Sequence, residues 1–131
     1  MNIEAIREFC LSLPGATEQL QWEESLLFKV NGKMFVILNL NVARERRLSF
    51  RCSPDTYAEL IEREGINPAR YNLWKYNWVS LDGLNVIPAP ELKELMRESH
   101  AIITEKSSKP RKRAQKKSTG QAVKAAKRSE A

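Results

Sequence analysis

Leu26-Leu27-Phe28-Lys29-Val30-Asn31-Gly32-Lys33-Met34-Phe35-Val36-Ile37-Leu38-Asn39-Leu40 decides the architecture. Two apolar, β-rich runs, Leu26–Val30 and Lys33–Leu40, flank Asn31-Gly32. Asn and Gly tolerate positive φ, which a type I′ hairpin turn demands at both central positions. The stretch predicts an antiparallel hairpin and, with it, an antiparallel sheet.

Upstream, Thr17–Trp22 reads as a short edge strand. Before it, Ile3, Ile6, Phe9, Cys10 and Leu13 repeat at helical spacing behind a capping Asn2, and Pro14-Gly15 ends the helix. Downstream, a second hairpin turns within Asn41–Glu45 and returns through Arg46–Cys52. There Leu48, Phe50 and Cys52 alternate with Arg47, Ser49 and Arg51, giving one buried face and one polar, basic face. Ser53-Pro54-Asp55 starts a second helix with Tyr57, Leu60 and Ile61 on its apolar stripe and Gly65 near its end. Ile66–Leu73 reads as loop and Trp74–Leu81 as a strand closed by Asp82-Gly83. In such a strand Trp74, Tyr76 and Trp78 share one face, opposite Lys75, Asn77 and Val79. Pro88 and Pro90 introduce a last helix with Leu92, Leu95, Met96, Ser99 and Ile103 on one side. The fold class is α+β.

Charge divides the chain in two. Residues 106–131 hold ten Lys/Arg against one acid, Glu130, and carry +9, whereas residues 1–105 hold 12 basic and 15 acidic groups and carry −3. The excess of +6 belongs to the C-terminal segment. From Ser107 onward apolar periodicity is lost, and Lys, Arg, Ser, Ala and Gln dominate. Such a segment buries too little apolar area to offset roughly 1–2 kcal/mol of backbone entropy per ordered residue. The expected organisation is a folded domain over residues 1–106 and a disordered basic tail over 107–131.

Several function classes find little support. Cys10 lies on a helical apolar stripe and Cys52 on a strand face, which favours two buried thiols over a disulfide or redox pair. Two Cys and one His give no metal-ligand spacing. The longest apolar run, Met34 to Leu38, is too short to span a bilayer, and Met1–Cys10 has no basic-then-apolar leader pattern. A soluble, cytoplasmic protein is expected. His100, the only histidine, sits beside an apolar stripe and reads as a boundary residue rather than a general base. Ser12, Ser49 and Ser99 lack a nucleophile motif, and the glycines are scattered singly. Carboxylates such as Glu23-Glu24, Glu62, Glu64 and Asp82 read as solvated faces or turns. The expectation is a protein that is not an enzyme and uses no cofactor or metal.

Positive charge beside aromatic rings points elsewhere. Arg70-Tyr71-Asn72-Leu73-Trp74-Lys75-Tyr76-Asn77-Trp78 interleaves cations with rings on which bases stack, although Trp78 also suits the core. Arg44, Arg46 and Arg47 mark the second hairpin, and Lys29 and Lys33 flank the first. Such residues blunt strand edges or, on a protruding hairpin, meet a nucleic-acid groove. Lys109, Arg111, Lys112, Arg113, Lys116 and Lys117 concentrate the tail's charge. That tail holds no aromatic, Leu or Ile, so nucleic acid is preferred to a membrane surface. The predicted contacts are therefore Lys29, Lys33, Arg44, Arg46, Arg47, Lys75 and this tail cluster. DNA is preferred to RNA, and a monomer is the expected state. The alternative is a protein-interaction or small-ligand domain whose tail is incidental.

Pro14-Gly15-Ala16, the hairpin Phe28-Lys29-Val30-Asn31-Gly32-Lys33-Met34-Phe35, Lys75-Tyr76-Asn77-Trp78-Val79 and the Ser99-His100 helix resemble the MmcQ/YjbR family over about residues 1–105. The resemblance implies a CyaY-like fold, with helices packed on one side of an antiparallel sheet. It also implies a double-wing DNA-binding arrangement, with no catalytic residue or cofactor. Where some members carry His-Met-Asn-Lys before the Trp, this chain has Leu73-Trp74 in place of Met-Asn, and Lys75 and Trp78 match by position.

Overall fold

The computed structural model describes residues 1–108. Lys109, Arg111, Lys112, Arg113, Lys116 and Lys117, and nearly all of the expected disordered tail, lie outside the described residues. The elements are α1 (Ile3–Ser12), β1 (Thr17–Gln21), β2 (Ser25–Val30), β3 (Lys33–Asn39), β4 (Leu48–Arg51), α2 (Pro54–Leu60), β5 (Ile66–Pro68), a 3₁₀ turn (Leu73–Tyr76), β6 (Trp78–Leu81) and α3 (Ala89–Ser108). The helix α3 runs two residues into the segment assigned to the tail. The strands form one sheet, β1-β2-β3-β4-β6-β5, with every neighbouring pair antiparallel.

Local signals produce the expected ends. The Asn2 side chain accepts a hydrogen bond from the Ala5 N–H, and Ser53 caps α2 through the Thr56 N–H. These side chains satisfy donors that a first helical turn leaves unpaired. Asn31 and Gly32 adopt φ of 54° and 79°, as the tight hairpin turn requires.

Alternation along the strands fixes the two faces of the sheet. Leu26, Phe28 and Val30 of β2, Val36 and Leu38 of β3, Leu48 and Phe50 of β4 and Val79 and Leu81 of β6 all enter one core. Ile6 and Cys10 of α1, Leu60 of α2, and Leu92, Met96 and Ile103 of α3 close it. All three helices thus cover one face, and the opposite face carries Leu27, Ile37, Ser49 and Ser80, in register across β2, β3, β4 and β6. Cys10 and Cys52 are buried free thiols, each pushed up to about 12 by burial. The Cys10 Sγ lies 3.9 Å from Met96 Sδ.

Three expectations need correction. Ile66–Leu73 is not simply loop: Ile66, Asn67 and Pro68 pair with Leu81, Ser80 and Val79 as an edge strand. Nor is Trp74–Leu81 one strand, because Leu73–Tyr76 winds into a 3₁₀ turn and the strand begins at Trp78. Asn72 and Asn77 bracket that turn with left-handed φ of 67° and 65°, a conformation Asn tolerates better than most residues. The shared aromatic face is therefore lost, and Trp78 is buried while Trp74 and Tyr76 are exposed. The second hairpin also has a longer connection than expected, since the return strand starts only at Leu48. Asn41 shapes that connection: its side chain accepts from the Ala43 N–H and donates to Glu24.

A bulge ties α3 to the sheet. Register passes from Phe28↔Val36 to Lys29↔Met34, leaving Phe35 as the extra residue. Phe35 turns inward and is fully buried. Its carbonyl accepts a 2.5 Å hydrogen bond from Ser99 Oγ on α3, and Ser99 Oγ in turn accepts from the Arg51 N–H at 3.1 Å. Beside it, His100 donates from Nε2 to the Pro14 carbonyl at 2.8 Å and meets the Phe35 ring edge-on.

Replacing Ser99 by Ala leaves a backbone donor and a carbonyl unpaired in the interior. The expected loss is about 1–3 kcal/mol of unfolding free energy, read from the denaturant midpoint; an unchanged midpoint rules out a stabilising role for this bridge.

Candidate functional site

The sheet distributes the predicted cations between its two ends. Lys29 and Lys33 sit by the Asn31-Gly32 turn. Arg44, Arg46 and Arg47 lie on the connection at the other end of β3, about 20 Å away at strand rise. At the Asn31-Gly32 end, Ser99 and His100 of α3 reach Phe35 and Pro14, so the helix that leads into the tail approaches this end.

Most of these side chains already have partners. Lys29 donates to Gln19 Oε1 at 2.7 Å, whereas Lys33 is exposed at the hairpin tip. Arg44 donates to Glu24 through Nε and Nη2, at 3.1 and 2.8 Å. The Glu24 carboxyl is held below its ordinary value, first by the Asn41 amide and then by Arg44. This latch is therefore complete at neutral pH and opens as pH falls through the lowered Glu24 pKa. Arg46 Nη1 donates to the Pro68 carbonyl at 3.0 Å, and Arg47 Nε to the Asn39 carbonyl at 3.1 Å. Lys75 is exposed, with Nζ 5.9 Å from the centre of the Trp74 ring. Arg51, half-buried, lies 5.7 Å from the Tyr76 ring.

On the helix-free face the chain builds a cleft of ≈ 430 Å³. Ile37, Ser49 and Ser80 supply its floor, and the Ser49 and Ser80 hydroxyls hydrogen-bond to each other at 2.8 Å. Its walls come from three separate segments: Trp22 from the β1–β2 turn, Ala43–Arg46 from the β3–β4 connection, and Ala69–Tyr71 from the chain after β5. The cleft thus gathers Arg44, Arg46 and Arg70 with Glu24 and Glu45. The Arg70–Glu45 pair is long, at 3.9 Å. Buried Arg46 Nε has no hydrogen-bond partner. Lys29, Lys33, Arg47 and Lys75 lie outside this cleft.

Trp22 and Tyr71 stand at its rim. They are 83% and 89% exposed, and their backbones are left-handed, with φ of 54° and 60°. Bulky residues rarely adopt that conformation, which costs about 1–2 kcal/mol. Reading the sequence pattern alone leaves Trp22 as the end of an edge strand. Its position between two β runs, where the chain must reverse, was the available signal. Arg70 and Tyr71 were visible in the aromatic-basic stretch, but the chain direction that brings them over Ser80 was not.

Among the described residues, no group of three or more His, Cys, Asp or Glu is placed to hold a metal, and no helix is long and apolar enough to cross a membrane.

Comparison with known proteins places this architecture. A family model, YjbR, matches residues 11–102, and the chain belongs to that family. A Deinococcus radiodurans protein with a DUF419 domain has a similar structure, with a TM-score of 0.71 and 26% identity over 82% of each chain. A Pseudomonas syringae protein shares the fold with a TM-score of 0.65 and 19% identity, over 79% of this chain and 99% of its own. No curated protein matches the sequence significantly.

Trp22→Asn keeps a residue suited to left-handed backbone while removing an exposed ring. The expected result is a gain in unfolding free energy of up to about 1 kcal/mol. Destabilisation on denaturant titration means that the ring contributes to folding rather than straining it.

Proposed function

We propose that this YjbR-family chain is a nucleic-acid-binding accessory protein that contacts phosphates without reading base sequence. The observation that carries this reading is the division of charge, +9 in residues 106–131 against −3 in residues 1–105. A polyanion draws in such a tail through counterion release, and phosphate contacts alone carry no sequence information. The tail supplies affinity, and the folded part orients the complex. Lys33 at one end and the cleft arginines at the other offer it two separate points of contact. DNA is the partner to test first.

Binding rather than catalysis suits the way the polar groups are used. His100 is engaged with Pro14 and Phe35, Ser99 bridges α3 to the sheet, and Ser49 is paired with Ser80. Each of these groups has a structural partner, and none is paired as nucleophile with base.

Removing residues 107–131 is expected to weaken duplex DNA binding by well over tenfold at moderate salt. With about eight tail charges on phosphates, the full chain should show a log–log salt slope of about −7. Equal affinity with and without the tail defeats the proposal. A finer test is Glu24→Gln, which removes the carboxylate facing Arg44. The released guanidinium should tighten binding and steepen the slope by about one.

A further inference from the structure

The geometry points to the cleft between Trp22 and Tyr71 as a site for an unpaired nucleotide, with its base stacked on these rings and its phosphate meeting Arg46 and Arg70. This rests on the nucleic-acid reading above and specifies which form of nucleic acid the folded domain takes.

Four observations converge on the cleft. First, its two rim aromatics are almost fully exposed, so neither is there to fill the core. Second, both sit on left-handed backbone that Asn or Gly would occupy with less strain, and strain of this kind concentrates at binding sites. Third, two of the guanidinium groups are incompletely used. Arg46 keeps a buried N–H without a partner, and Arg70 reaches Glu45 only at 3.9 Å. A buried unpaired donor marks a place where a further acceptor is missing. Fourth, the floor combines an apolar residue, Ile37, with the Ser49–Ser80 hydroxyl pair, which offers both stacking area and hydrogen bonds.

The size and chemistry select the ligand. At ≈ 430 Å³ the cleft falls within the range of small-molecule pockets and cannot accommodate a double helix. A duplex hides its base faces in the stack, whereas a single strand presents them to aromatic side chains. An acidic peptide matches the arginines but has no flat face for the two rings. A single-stranded nucleotide satisfies both.

The test uses the 131-residue chain with four probes: an oligothymidylate, an abasic strand of equal length, a duplex of equal length and polyglutamate. The tail meets a similar charge on the oligothymidylate and on the abasic strand, so a difference between those two reports the cleft, while the duplex, with twice the charge, reports the tail. The expected result is that oligothymidylate binds about tenfold or more tighter than the abasic strand. Trp22→Asn and Tyr71→Asn, which suit left-handed backbone, should each remove most of that preference while leaving duplex affinity unchanged. Circular dichroism and denaturant titration confirm that both variants are folded. Salt-sensitive binding of oligothymidylate that equals binding of the abasic strand overturns the nucleotide site while leaving the nucleic-acid reading intact. Loss of salt-sensitive binding to all the nucleic acids overturns both. Polyglutamate binding that equals oligothymidylate binding and depends on Trp22 overturns the site in favour of an acidic protein partner.

Discussion

One hydroxyl group holds the two layers together. Ser99 donates to the carbonyl of the bulged Phe35 and accepts from the Arg51 N–H, so α3, β3 and β4 meet at a single buried oxygen. Without the bulge, Phe35 would point to the open face; with it, Phe35 and Val36 both enter the core. The gain in burial leaves backbone groups to be satisfied, and Ser99 does so. With α3 fixed there, the helices remain on one side and the other side of the sheet is free to form the cleft.

What could be read from the sequence follows the range of the interactions. The Asn31-Gly32 hairpin, the Asn2 and Ser53 caps and the alternation of Leu48, Phe50 and Cys52 are local, and each appears where expected. The 3₁₀ turn was hidden because Trp74, Tyr76 and Trp78 mimic strand alternation. Only the flanking Asn72 and Asn77 hint at a break. The strand β5 was hidden for a different reason. Three residues ending in Pro have no period of their own, and Ile66–Pro68 is a strand because β6 lies beside it. The site divides in the same way. Arginines near the second hairpin are visible as letters, but the Glu24 that holds Arg44 is twenty residues away in sequence. Trp22 joins Tyr71 only once the sheet has formed.

The separation of charge has a spatial counterpart. Lys33 and the C-terminal half of α3 share one end of the sheet, and the arginines of the β3–β4 connection occupy the other. The two ends carry different chemistry. Lys33 offers a point charge on a flexible stem, while Arg44, Arg46 and Arg70 present planar groups beside aromatic rings. On the proposed nucleic-acid reading, a long polyanion would engage both ends at once, and the linkage would raise the effective concentration at the second site.

The contact between Arg46 and Pro68 also has a meaning for the free border of the sheet. Pro68 offers no N–H, its carbonyl is occupied by Arg46, and the Ile66 N–H is taken by the Arg63 carbonyl. The β5 border is therefore largely closed to a further strand. The β1 border, Thr17–Gln21, has no proline, and its pairing with β2 occupies only one side of the strand. Any growth of this sheet, by strand exchange or by misassembly at high concentration, is directed to β1, while the border beside the cleft is protected by the arginine that lines it.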